Sequence, residues 1–147
     1  GVFGGDAIER LFTNTLDPGA HPYFATIAHL QVSAHLLIRR DGTVLQFVPL
    51  HERAWHAGAS AWWGRSRCND FAVGAELEGT DEIPYEAIQY ERLAAIVAAL
   101  ARAYPRFDET KMAGHADIAP ERKTDPGAAF DWAHLQRLVA RQRNPDP

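Results

Sequence analysis

The stretch Gly114-His115-Ala116-Asp117-Ile118-Ala119-Pro120-Glu121-Arg122-Lys123-Thr124-Asp125-Pro126-Gly127 gathers an imidazole, several carboxylates and a lysine in one short polar segment. Imidazole nitrogen and carboxylate oxygen are donors that zinc accepts, and a catalytic zinc site takes three protein ligands and leaves one position for water. His115 falls at the end of a short β-like piece, and the ring of Pro126 drives Asp125 toward extended backbone. Side chains alternate along an extended chain, so Lys123 and Asp125 are expected on one side of it. A lysine so placed could stabilise the oxyanion formed when water attacks an amide carbonyl, and a carboxylate such as Glu76 could take the water's proton. On spacing alone the same residues also suit surface or capping roles, and Arg122-Lys123 also reads as a solvated basic pair.

These groups need a scaffold, and loops held by a rigid scaffold are where sites concentrate. Asp6 to Phe12 predicts a short helix with Asp6 as its cap, and a second helix is expected from Pro22 to about His29. The runs Ala34 to Arg40 and Thr43 to Val48 flank Asp41-Gly42, the signature of a β-hairpin with a tight turn. Phe71, Val73, Ala75 and Leu77 alternate with Ala72, Gly74 and Glu76, which predicts a strand from Phe71 to Leu77 with Glu76 on the face away from the apolar row. Glu78 shares that face and competes with Glu76 for any catalytic role. Apolar positions Ile88, Leu93, Ile96, Val97, Leu100 and Ala101 follow the 3.6-residue period, so Tyr85 to Tyr104 reads as a helix. A last amphipathic helix is expected over Trp132 to Arg141, with Asp131 as cap. Strands mixed with packed helices give an α/β fold, a central mixed β-sheet flanked by helices.

Composition narrows the function classes. The chain of 147 residues, 46% hydrophobic, suits one compact domain. A net charge of -4, with 15 Lys and Arg residues scattered along the chain, gives no basic stripe for nucleic acid. The single cysteine, Cys68, rules out an internal disulfide and Cys-rich zinc sites, so any metal must use His and carboxylate. Cys68 itself is expected to pack as a small apolar residue. The apolar run Leu93 to Ala101 falls well short of the roughly 20 residues that span a bilayer, so no membrane partner is expected.

Five motifs in order carry a resemblance: Ser33-Ala34-His35-Leu36-Leu37-Ile38-Arg39-Arg40-Asp41-Gly42, Arg53-Ala54-Trp55-His56-Ala57-Gly58, Cys68-Asn69-Asp70-Phe71, Glu76-Leu77-Glu78-Gly79-Thr80-Asp81, and the segment from Gly114 to Gly127. Together they resemble the AmpD amidases, which share a wider fold with peptidoglycan recognition proteins and phage-type amidases. The resemblance implies zinc-dependent hydrolysis of the amide between 1,6-anhydro-N-acetylmuramic acid and the L-alanine of a stem peptide, in cytoplasmic cell-wall recycling. It also implies a muropeptide substrate, with His115 and Asp125 as zinc ligands, Glu76 as the catalytic carboxylate and Lys123 stabilising the transition state. The family's third ligand is a histidine on a first strand, just before the stretch that here begins at Gly1. One amidase domain over 1–147, lacking that strand, is therefore expected.

Tyr23 matches a tyrosine that lies near the metal in the family. Trp55 and His56 could line a pocket for sugar or peptide or simply pack under a loop, and Arg67 could pair with a stem-peptide carboxylate or with a neighbouring acid. His35 is the available substitute for the absent ligand, although a histidine on an apolar strand more commonly serves the core and the family does not use it. His21, His29, His51 and His134 receive no role. Two alternatives remain open: a peptidoglycan-binding module without activity, and a periplasmic or phage-like amidase acting on polymeric wall.

Overall fold

The computed structural model describes residues 3–143. Helices α1 (Ala7–Phe12) and α2 (Pro22–Ile27) precede strands β1 (Leu36–Ile38), β2 (Val44–Gln46), β3 (Ala61–Trp62), β4 (Arg65–Ser66) and β5 (Ala75–Leu77). Helices α3 (Ala87–Ala103), α4 (His115–Ile118) and α5 (Trp132–Arg143) follow. Strands β2-β1-β5 form one sheet and β3-β4 a second, so the α/β class with a mixed sheet and helices is observed as expected. The chain clusters into two compact units, Gly1–Leu37 with Leu45–Glu76 and Ile38–Val44 with Leu77–Pro147.

In the first unit, Leu16, Ala34, Leu36, Leu37, Ala54, Ala57 and Cys68 are buried, and Phe12 meets Phe47 edge to face. The unpaired thiol of Cys68 packs as a small apolar side chain, as expected. Asp6 precedes α1 but does not cap it, because its carboxylate is held 2.7 Å from Arg10. The cap of α2 is His21, whose Nδ1 accepts the Tyr23 N–H.

The expected strand from Phe71 is shorter than its alternation suggests. Residues Cys68–Asp70 form a 3-10 turn, and the amides of Phe71 and Ala72 close back onto the Cys68 carbonyl, so regular pairing starts only at Ala75. Local hydrogen bonds outcompete the ladder there, and the apolar side chains of Phe71 and Val73 serve a turn.

In the second unit, α3 and α5 pack around Tyr90, Ala94, Val97, Phe130, Leu135 and Val139. The start of α3 is fixed by a capping box between Glu86 and Gln89, and α5 by Asp131, whose Oδ1 accepts the His134 N–H at 2.8 Å. Gln89 is fully buried and donates to the carbonyls of Ile38 and Glu78. The expected hairpin turn is present: the Arg39 N–H donates to Thr43 O, Asp41 Oδ1 accepts the Thr43 N–H, and Gly42 takes φ 85°. That left-handed backbone favours glycine, and a Cβ would also lie 2.4 Å from the Ile88 side chain.

Candidate functional site

His115 is the first residue of the single-turn helix α4, not the end of a β-like piece. The residues after α4 form turns, with the amides of Arg122 and Lys123 closing onto the Ala119 carbonyl. The backbone ties the two ends of the segment together, because the Ala116 N–H donates to the Asp125 carbonyl at 2.9 Å. Asp117 reaches back to accept the Gly114 N–H at 2.7 Å, which fixes the start of α4. Tyr85 anchors the far side of the loop: its ring meets Phe130 edge to face at 5.3 Å, and its hydroxyl donates to Pro126 O.

This framework holds His115 Nδ1 3.3 Å from Asp125 Oδ2, with the imidazole mostly buried and the carboxylate half-exposed. Hydrogen bonding to His115 draws the Asp125 carboxyl below its ordinary value, partial burial opposes this, and the charge of Lys123 adds to the lowering. Two donors on one tetrahedral zinc, each about 2.0–2.2 Å from the metal, lie roughly 3.4 Å apart. The observed nitrogen-to-oxygen separation matches that edge, so the pair fits two positions around such an ion. Among the described residues, no group of three or more His, Cys, Asp or Glu side chains forms a complete metal site.

Glu76 lies on β5 and is half-buried. Its rival Glu78 is buried, and Glu78 Oε2 accepts the Arg40 N–H at 3.0 Å, a structural commitment.

A cleft of about 530 Å³ lies in the first unit, lined by Arg53, Trp55, Gly58, Arg67 and Asn69. Trp55 is exposed and carries the Arg53 guanidinium 3.8 Å above its ring. Its backbone is fixed from both sides, since the Trp55 N–H donates to Ser33 Oγ and Trp55 O accepts the Ser33 N–H. Arg67 takes φ 64°, an uncommon conformation for a non-glycine residue. Asp70 bridges the two arginines, 2.7 Å from Arg53 Nε and 3.2 Å from Arg67 Nε. The Arg53 hydrogen bond lowers the Asp70 carboxyl below its ordinary value, and Arg67 adds to this. Asn69 Oδ1 accepts the amides of His56 and Ala57 and so fixes the cleft wall.

His56 itself turns its ring toward Gly74, and Tyr23 lies exposed on α2; neither is among the residues lining this cleft. Arg53, Asn69 and Asp70 sit inside two of the motifs that carry the resemblance, yet only the fold shows that they build this cleft.

The model of the N-acetylmuramoyl-L-alanine amidase family matches residues 6–128. The 1,6-anhydro-N-acetylmuramyl-L-alanine amidase AmpD of Escherichia coli K12 is 59% identical over 142 residues, covering 97% of this chain and 77% of its own length. The chain belongs to the N-acetylmuramoyl-L-alanine amidase family. A crystal structure of a selenomethionine AmpD derivative superposes with a TM-score of 0.92 at 60% identity, covering 95% of this chain and 77% of its own. A more distant amidase, AmiD of E. coli, matches with a TM-score of 0.66 at 35% identity over 80% of this chain and 51% of its own. Its structure is a complex with the substrate anhydro-N-acetylmuramic acid-L-Ala-D-gamma-Glu-L-Lys. Both segments described above, the cleft wall and the loop from Gly114 to Gly127, fall within the region that the amidase family model matches.

Proposed function

We propose that this protein hydrolyses the amide between 1,6-anhydro-N-acetylmuramic acid and the L-alanine of a stem peptide, in cytoplasmic cell-wall recycling, with zinc held by His115 and Asp125. The observation that carries the reading is the 3.3 Å His115–Asp125 pair, with donor types and spacing suited to zinc, in a chain 59% identical to a curated amidase of this substrate class. When bound, zinc supplies Lewis acidity toward water and the amide carbonyl. Glu76 takes a proton from the attacking water and passes it to the departing alanine nitrogen. Lys123 donates to the oxyanion that develops on the carbonyl, and Tyr23 contributes to substrate binding. Trp55 offers an apolar face to the ligand, His56 supports that wall, and Arg67 pairs with a stem-peptide carboxylate through its planar fork.

Residues 1–147 are proposed to act as a single amidase domain. Cytoplasmic residence accompanies the recycling role, and no helix among the described residues is long and apolar enough to cross a membrane. The test is to incubate the zinc-loaded protein separately with anhydromuropeptide and with intact sacculi, identifying products by mass spectrometry. Release of free stem peptide from the anhydromuropeptide, much faster than from sacculi and abolished in Glu76→Ala, is expected. Preferential cutting of sacculi would redirect the assignment to a wall amidase, and binding without cleavage would make the chain a recognition module.

A further inference from the structure

His35 is buried in the first unit, 1% exposed, and the proposed chemistry does not use it. The Gly74 N–H donates to His35 Nδ1 at 3.0 Å, and His35 Nε2 lies 3.0 Å from the Glu52 carbonyl oxygen. An amide N–H can only donate and a carbonyl can only accept, so these partners fix a neutral ring protonated at Nε2. Both nitrogens are committed, which leaves neither for a metal. The backbone repeats the link: the amides of His35 and Leu36 donate to Gly74 O, and His35 O accepts the Phe47 N–H. His56 packs edgewise on His35 at 5.6 Å, its Nε2 donates to Ala72 O, and a Cβ on Gly74 would lie 2.4 Å from its Cγ. Only glycine allows the chain to pass this close to the His56 imidazole.

The two partners of His35 stand next to different parts of the proposed machinery. Gly74 leads directly into β5 and Glu76, while Glu52 leads into Arg53 and Trp55 on the cleft wall. We propose that His35 is a positioning residue, with Nδ1 setting the backbone that presents Glu76 and Nε2 setting the segment that presents Arg53 and Trp55. The proposal rests on the roles given above to Glu76 and Trp55. His35 acts through these neighbours and touches no reacting atom.

Asparagine and glutamine separate the two halves. The amide oxygen of His35→Asn can stand in for Nδ1 and keep the Gly74 bond, whereas the amide nitrogen of His35→Gln can stand in for Nε2 and keep the Glu52 bond. On anhydromuropeptide, His35→Asn is expected to raise KM about tenfold with kcat nearly unchanged, and His35→Gln to lower kcat about tenfold with KM nearly unchanged. Parallel losses in both variants, or no change in either, would overturn the proposal.

A measurement on the unaltered protein is independent of variant folding: the imidazole nitrogen NMR spectrum of His35 at neutral pH. A neutral ring protonated at Nε2 is expected, and a proton on Nδ1 would overturn the proposal. Glu76→Gln, measured alongside, separates this proposal from the reading beneath it. Retained turnover there would remove the functional reading and with it the kcat half of the proposal. Lost turnover there, without the split between the His35 variants, would remove the proposal alone.

Discussion

The loop carrying His115 and Asp125 and the cleft carrying Trp55 and Arg67 are built by different means. In the loop, the ties start from backbone amides, Ala116 N–H to the Asp125 carbonyl and Gly114 N–H to the Asp117 carboxylate, and one tyrosine anchors the loop to an aromatic core. In the cleft, side-chain charges supply the links: Asp70 pairs with Arg53, 17 residues away, and with Arg67, three residues away. Backbone-tied geometry suits groups that must hold a metal, and charge-tied geometry suits groups that must accommodate a charged peptide. Damage to the loop should therefore fall on kcat, and damage to the cleft on KM.

The largest effect is expected from His115→Ala or Asp125→Ala. Each should lower turnover by roughly a thousandfold or more, beyond the ~10–100-fold typical for an outer partner of a metal ligand. Steady-state kinetics with zinc quantified in the same samples would check this, and near-normal turnover would break the comparison at its strongest point. Lys123→Ala comes next, with kcat reduced roughly a hundredfold, the scale of one lost oxyanion donor, and little change in KM. Arg122→Ala, at the adjacent exposed residue, is the control and should leave both parameters near their starting values.

Asp70→Asn tests the cleft. Releasing Arg53 and Arg67 should raise KM about tenfold while kcat holds, on the scale of one charge-assisted hydrogen bond. The sign of its pH dependence follows from the lowered Asp70 carboxyl. The pairing is fully present above the ordinary carboxylate range and is lost only as pH falls through the still lower value in the folded protein. A KM that rose between pH 8 and 6 through this residue would contradict that.

The smallest effect is expected from Tyr85→Phe, which removes the hydrogen bond to Pro126 O but keeps the ring on Phe130. It should cost about 1 kcal/mol of stability by thermal or denaturant unfolding and lower kcat only a few-fold.

The two regions also differ in how far the sequence discloses them. The period of α3, the Asp41-Gly42 turn and the Asp131 cap are local signals that match the folded elements, and the segment from His115 to Asp125 stands out as one block. Even there, a β-like piece is expected up to His115, where the chain instead starts a helical turn closed by the Ala119 N–H on the His115 carbonyl. Strands β3 and β4 are two residues each, too short to show any period. The Arg67–Asp70 pair, three residues apart, is the neighbouring-acid pairing that the sequence allows, whereas the Arg53–Asp70 link joins two motifs 17 residues apart and no local spacing encodes it. Glu76 and Glu78 look equivalent by alternation. They part only once the fold buries Glu78 against the Arg40 amide.

The central claim is that His115 and Asp125 hold zinc, and zinc-edge X-ray absorption on the zinc-loaded protein tests it most directly. Imidazole nitrogen and carboxylate oxygen are expected at about 2.0–2.2 Å from the metal, with the imidazole signature diminished in His115→Ala. A protein that binds no zinc, or a spectrum unchanged by His115→Ala and Asp125→Ala, would contradict it.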